Sequence, residues 1–241
     1  MSAPTDTSSY LTRRGEIAHY FDRTAADAWR QLTSDAPLGR IRESVRAGRE
    51  QMRRTLLDWL PADLTGLSVL DAGCGTGALA VEAARRGARV TAIDLSPTLV
   101  ELARERLPVD VDAGMIEFVS GDMLAPYLGE FDYAVAMDSL IHYGRRDVAE
   151  ALAGLAPRVR QGMLFTHVPL TPRLAVKRAV GRLFPRSDRA PDVRPCRFED
   201  LRGDLAGALG GDWTVAEHRR VSSGFYTSQA LRLVRGEEAA E

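Results

Sequence analysis

Two hydrophobic rhythms alternate along the chain. Short apolar runs near 67–71, 89–93, 116–119, 132–137 and 161–167 have the length and composition of buried strands. Between them, over 77–86, 97–107 and 147–158, apolar residues recur every three or four positions, the spacing of a helix face. Ser96 and Pro97 supply an N-cap and a first helical residue for the second of these helices. Two helices are expected before the first strand. One, 16–32, carries Ile17, Tyr20, Phe21, Ala25 and Trp29; the other, 38–60, carries Leu38, Ile41, Val45, Met52, Leu56 and Trp59. After the fifth strand the rhythm breaks over Pro169–Pro195, a proline-punctuated basic stretch. It resumes as a helix near 198–209 and two strands near 213–221 and 224–234, which would pair as an antiparallel hairpin around Ser222-Ser223-Gly224. Such alternation predicts an α/β fold with a doubly wound sheet.

Chemistry concentrates where the first strand ends, at Val69-Leu70-Asp71-Ala72-Gly73-Cys74-Gly75-Thr76-Gly77. Alternating glycines let a loop take positive φ values and lie close against a flat ligand. Gly73 to Ala78 also satisfies the dinucleotide pattern G-x-G-x-x-G/A. Asp71 discriminates between the two, because a carboxylate there opposes a pyrophosphate but suits an ammonium or sulfonium group. At this point the chain resembles the class I S-adenosylmethionine-dependent methyltransferases, whose first motif is an acid followed by G-x-G-x-G. The resemblance implies a Rossmann-like, seven-stranded, mostly parallel sheet with one antiparallel strand. It makes S-adenosylmethionine the methyl donor, held by Asp71, Gly73, Gly75 and Gly77. Asp94 closes the second strand 21 positions after Gly73, close to the usual place of a ribose-binding carboxylate. By the same resemblance Asp122, at the third strand end, takes the adenine amino group, and the Met123 backbone N–H meets a ring nitrogen.

With 241 residues, 45% of them hydrophobic, the chain can bury one sizeable core. Residues 1–62 are expected to form an N-terminal helical arm or lid, and 63–241 a methyltransferase core with a substrate-binding insertion at about 169–196. No apolar run reaches the roughly 18 residues of a membrane span, and Met1–Ser9 lacks the apolar core of a signal peptide. A cytoplasmic protein is expected. A formal charge of −1 argues against nucleic-acid binding. Cys74 and Cys196 are too few for a disulfide framework or zinc site, and His19, His167 and His218 lack a metal-ligand spacing, so no protein-bound metal is expected.

Three further segments speak to the substrate: His19–Ala25, Met137–Tyr143 and Ser223–Tyr226. Together with Val45-Arg46-Ala47-Gly48-Arg49 they resemble the magnesium-protoporphyrin O-methyltransferases of bacteriochlorophyll synthesis. The resemblance runs from about residue 16 to 233 and is weakest over 169–196. It implies methyl transfer from S-adenosylmethionine to a propionate of magnesium protoporphyrin IX, with the magnesium carried by the porphyrin. It further implies His142 and Tyr20 as the residues serving the reaction, and the porphyrin-binding subunit of magnesium chelatase as a partner. His142 would hydrogen-bond the acceptor carboxylate or approach the magnesium; the alternative is a loop histidine satisfied by backbone. Tyr20 would face substrate or cofactor, or else pack as a core aromatic, and the same choice holds for Phe21, Trp29 and Tyr226 as stacking partners. Asp138 and Tyr143 are expected to shape the pocket. Arg173, Lys177 or Arg178 would attract the second propionate, the alternative being a solvated helix face, and the apolar residues among them would allow peripheral membrane contact. Other readings are a methyltransferase of another small aromatic or quinone-like acceptor, a non-catalytic tetrapyrrole or S-adenosylmethionine binding module, and a nicotinamide oxidoreductase.

Overall fold

A computed structural model describes residues 7–24, 33, 39–170 and 193–236. Its centre is a seven-stranded sheet: β1 Ser68–Ala72, β2 Arg89–Asp94, β3 Ile116–Ser120, β4 Phe131–Ala136, β5 Val159–His167, β6 Trp213–Ser223 and β7 Tyr226–Arg235. The strand order is β3-β2-β1-β4-β5-β7-β6. The pairs β3–β2, β2–β1, β1–β4 and β4–β5 are parallel, whereas β7 runs antiparallel to both neighbours. The expected hairpin is present, turning at Gly224 with φ 54°. The order reverses beside β1, so the carboxyl ends of β1, β2 and β4 border the crevice where such sheets bind ligands.

Six helices flank the described sheet: α1 Thr7–His19, α2 Arg40–Asp58, α3 Ala78–Arg85, α4 Pro97–Glu105, α5 Arg145–Leu155 and α6 Phe198–Leu209. The pleat divides the core into two layers. Leu70 and Ala72 on one face pack with Val148, Leu152 and Leu155 of α5 and with Leu201 and Leu205 of α6. Val69, Val90 and Ala92 on the other face pack with Met52 and Leu56 of α2, Leu79 and Ala83 of α3, and Val100 of α4. Central β4 is buried at all six positions, which is why its sequence reads as a nearly continuous apolar run rather than an alternation. Its one charged residue, Asp132, is satisfied by the backbone N–H and hydroxyl of Ser68 at 2.8 and 2.9 Å. Ser96 caps α4, its hydroxyl accepting from the Leu99 N–H at 3.3 Å, with Pro97 at the first helical position as expected.

The N-terminal helix departs from the sequence expectation. It starts at Thr7 and ends at His19, and a π-helical turn, Tyr20–Thr24, follows. The earlier start was hidden because only Tyr10 and Ile17 of α1 are buried apolar residues, one on each side of a polar stretch. Ala25 and Trp29, most of the 169–196 insertion with Arg173, Lys177 and Arg178, and the tail from 237 lie outside the described residues. Among the described residues no helix is long and apolar enough to cross a membrane.

Candidate active site

Asp71 is set by the end of β1 and is 2% exposed. Its carboxylate accepts the backbone N–H of Ala80 in the first turn of α3, so it caps that helix from a distance. Its Oδ2 is buried and has no hydrogen-bond partner. Burial, and secondarily the nearby Asp94 carboxylate, push its pKa up from 3.8 to about 7. An orphaned carboxylate oxygen in a cleft is a receptor for a cation.

The loop after Asp71 is held against β2, with the Gly73 and Cys74 N–H groups both donating to the Ile93 carbonyl at 2.7 and 3.0 Å. Gly73, Gly75 and Gly77 all have positive φ, at 84°, 54° and 77°. At Gly73 a side chain is excluded twice over, because a Cβ would also lie 2.3 Å from that of Ser139. Asp94 takes the Gly75 N–H on Oδ2 at 2.8 Å and the Ser96 N–H on Oδ1 at 2.9 Å, which ties the loop to β2 and fixes the carboxylate. Burial raises its pKa. An ionised carboxylate has about four acceptor sites, more than these amides use, so both oxygens suit a vicinal diol.

Asp71, Gly73, Gly75, Asp94, Asp122, Met123 and His142 line one cavity of about 270 Å³, so these sequence-predicted residues are brought together. Gly77 stands at the N-cap of α3, where a Cβ would press on Phe118 at 3.0 Å, and Tyr20 sits edge-on to Phe21 with ring centroids 5.3 Å apart. Phe21 in turn meets the His142 ring edge-on at 5.6 Å. His142 is buried in the short helical turn Leu140–His142, and its carbonyl accepts from Arg13 Nε at 2.9 Å. Cys74 is half-buried, and its desolvation, with the Asp94 and Asp71 carboxylates nearby, pushes its thiol pKa up.

The partners of two acids, Asp122 and Asp138, went unread in the sequence. Asp122 is clasped by the arm: Oδ1 accepts from Tyr10 Oη at 3.0 Å and from the Leu124 N–H at 2.9 Å, while Oδ2 accepts from Arg14. Tyr10 also stacks on Tyr143 at 5.0 Å. Asp22 reaches the N-terminus of α4, accepting from Thr98 Oγ1 at 2.7 Å. Opposite, Asp138 holds a second cluster. Its carboxylate accepts from Arg49 Nη1 at 2.7 Å, Tyr226 Oη at 3.0 Å, Ser228 Oγ at 3.2 Å and Thr166 Oγ1 at 3.1 Å. Tyr226, considered above for stacking on a ligand, is instead buried with its hydroxyl spent on Asp138. Asp138 itself has φ 55°, a backbone conformation that Asp tolerates better than most residues. The local signal for this cluster in the sequence is an acid set directly after the buried run of β4.

Comparison with known proteins decides between the readings of the loop. The family model described as "Magnesium-protoporphyrin IX methyltransferase C-terminus" matches residues 136–235, and one described as "Methyltransferase domain" matches 69–162. Over 225 residues the chain is 44% identical to the magnesium-protoporphyrin O-methyltransferase of Rhodobacter capsulatus, covering 93% of this chain and 97% of that protein. The chain belongs to the magnesium-protoporphyrin O-methyltransferase family. Two crystal structures of the Synechocystis PCC 6803 magnesium protoporphyrin IX methyltransferase superpose on it. The one with bound S-adenosylhomocysteine gives a TM-score of 0.81 at 29% identity, covering 92% of this chain and 100% of that one. The one with bound S-adenosylmethionine gives 0.76 at 25%, covering 98% and 100%. The fold is thus that of a class I methyltransferase, with S-adenosylmethionine as methyl donor, and the dinucleotide reading of the loop falls away.

Proposed function

We propose that this protein transfers a methyl group from S-adenosylmethionine to a propionate carboxylate of magnesium protoporphyrin IX, giving its monomethyl ester in (bacterio)chlorophyll biosynthesis. What carries the reading is the coincidence, in a chain of this family, of an orphaned Asp71 oxygen and a diol-ready Asp94 in the cavity that His142 also lines. The donor's groups fit those residues. Asp71 Oδ2 would accept from the ammonium, Asp94 from both ribose hydroxyls, and Asp122 Oδ2 from the adenine amino group, with the Met123 N–H on a ring nitrogen. When bound, S-adenosylmethionine supplies a methyl carbon on a positively charged sulfur that departs as a neutral thioether.

The acceptor shapes what the protein must do. A carboxylate is ionised at neutral pH, so no side chain need remove a proton. The task is to align an oxygen with the methyl carbon, for which proximity and orientation are worth up to about 7–11 kcal/mol. His142 would hold the acceptor end of the porphyrin, through the carboxylate or the magnesium, with the Phe21 ring edge-on to it and Tyr20 behind Phe21 rather than on the cavity lining. The second demand is dryness, because opposite charges cancel as the ester forms and water would favour the separated ions. Helix α1 meets that demand: Tyr10 stacked on Tyr143 and Arg14 on Asp122 close the adenine end. Delivery of the porphyrin by the substrate-binding subunit of magnesium chelatase belongs to the same proposal, and a pull-down with that subunit tests it. The test of the reaction is incubation with methyl-labelled S-adenosylmethionine and magnesium protoporphyrin IX. A labelled monomethyl ester on chromatography supports the proposal, and label-free porphyrin overturns it.

A further inference from the structure

Helix α1 meets the cavity wall at two places that serve different ends of the reaction. Tyr10 and Arg14 hold Asp122, at the donor end. Arg13, one residue before Arg14, reaches the acceptor end instead, donating from Nε to the His142 carbonyl at 2.9 Å. Its Nη1 donates to Glu16 Oε2, three residues along the same helix, at 2.7 Å. The Arg13 side chain is 15% exposed, so this forked guanidinium is largely shielded from water.

His142 needs support from outside because its own turn gives little. Leu140–His142 is a single turn of three residues, and a helix that short cannot satisfy its last carbonyls from within. The direction of the His142 carbonyl also sets the plane of the peptide that it shares with Tyr143. With that plane held, the His142 ring meets Phe21 edge-on at 5.6 Å and the Tyr143 ring stacks on Tyr10 at 5.0 Å. Phe21 and Tyr10 belong to the same N-terminal arm as Arg13, so the backbone and both rings of residues 142 and 143 are gripped from one side. A charge-assisted hydrogen bond outweighs either ring contact, which makes Arg13 the strongest of the three holds.

Resting on the function proposed above, in which His142 holds the acceptor end of the porphyrin, we infer that Arg13 is the positioning residue for His142. It fixes the peptide from which the imidazole projects. Arg13 does not itself line the described cavity, so it acts through the histidine rather than on a ligand. Because Arg14 holds Asp122, consecutive residues of one helix brace the donor and acceptor ends of the cavity. Alignment of the carboxylate with the methyl carbon depends on both ends being held.

The experiment is a double-mutant cycle of Arg13→Gln and His142→Ala. It reads the dissociation constant of magnesium protoporphyrin IX by fluorescence, kcat/KM for the same porphyrin, and S-adenosylmethionine affinity by calorimetry. Arg13→Gln should weaken porphyrin binding and lower kcat/KM by about tenfold, the scale of one charge-assisted hydrogen bond. Donor affinity should not change, and Arg13→Lys, which keeps a charged donor, should recover part of the loss. In the His142→Ala background Arg13→Gln should cost nothing further, because no imidazole is left to misplace. Equal loss in both backgrounds, or weakened donor binding, would reduce Arg13 to a brace of the fold, and no loss in the presence of His142 would equally overturn the inference. Full porphyrin affinity in His142→Ala alone would instead remove the role proposed for the histidine, and absence of methylation by wild type the proposed function itself.

Discussion

Asp138→Asn is the perturbation that asks most of the structure. Asparagine matches aspartate in shape and also tolerates the positive φ at this position, so the substitution isolates charge and acceptor capacity. The wild-type carboxylate accepts from four side-chain donors with its own side chain 3% exposed. Asparagine keeps one acceptor oxygen and turns an NH2 towards donors. Loss of the charge-assisted bond to Arg49 costs about 1.5–3 kcal/mol, and each hydroxyl left without its acceptor about 1 kcal/mol. Rotation of the hydroxyls recovers part of this, and the Arg49 side chain is 25% exposed and can reach water. The net expectation is about 3 kcal/mol. With a urea m-value of roughly 3 kcal/mol/M, the unfolding midpoint should fall by about 1 M. Because Asp138 joins α2, β5 and β7 at the cavity wall, KM for the porphyrin should rise as well. A midpoint within about 0.2 M of wild type would refute the claim that this cluster holds the wall together.

Four other outcomes follow from the same geometry. Asp94→Ala should weaken S-adenosylmethionine binding by about 3 kcal/mol or more, since two hydroxyls and the loop amide of Gly75 lose an ionised acceptor; unchanged affinity in calorimetry would remove the ribose assignment. Asp71 sets a pH dependence. Its folded pKa of about 7 lies above the ordinary 3.8, so its share of ligand-free stability falls as pH rises from about 4 to 7. Cofactor ammonium favours the ionised form, so affinity should rise over the same interval and flatten above about pH 7, and Asp71→Asn should abolish that slope; a wild-type profile without slope counts against the pairing. Gly73→Ala, forced to φ 84° and onto Ser139, should lower the melting temperature and abolish cofactor binding, and a normal melt with normal binding would contradict the packing described. His142→Ala should reduce turnover while leaving S-adenosylmethionine affinity intact, and unaltered porphyrin kinetics would reduce the residue to scaffolding.

Most of the sheet was legible because its central strands are covered on both faces. Apart from Asp132, every residue of Phe131–Ala136 is apolar or aromatic, and Met163, Leu164 and Phe165 follow one another in β5, runs that a surface element does not tolerate. The Gly73–Gly77 loop was legible for a related reason, since a backbone requirement is written directly as residue type. The clusters on Asp122 and Asp138 were not, because Tyr10, Arg14 and Arg49 lie from 89 to 112 residues away from the acids they serve. A hydrogen bond across that distance leaves no periodicity. Tyr226 shows the ambiguity plainly: an aromatic near a turn reads equally as a stacking surface or as packing, and only the position of its hydroxyl decides.

The central claim is that the acids ending β1 and β2 grip a sulfonium methyl donor. Calorimetric titration of the protein with S-adenosylmethionine and with S-adenosylhomocysteine tests it most directly. The account predicts saturable one-site binding of both, with proton release from Asp71 below about pH 7. Absence of binding by either compound, in protein that melts as a folded domain, would contradict it.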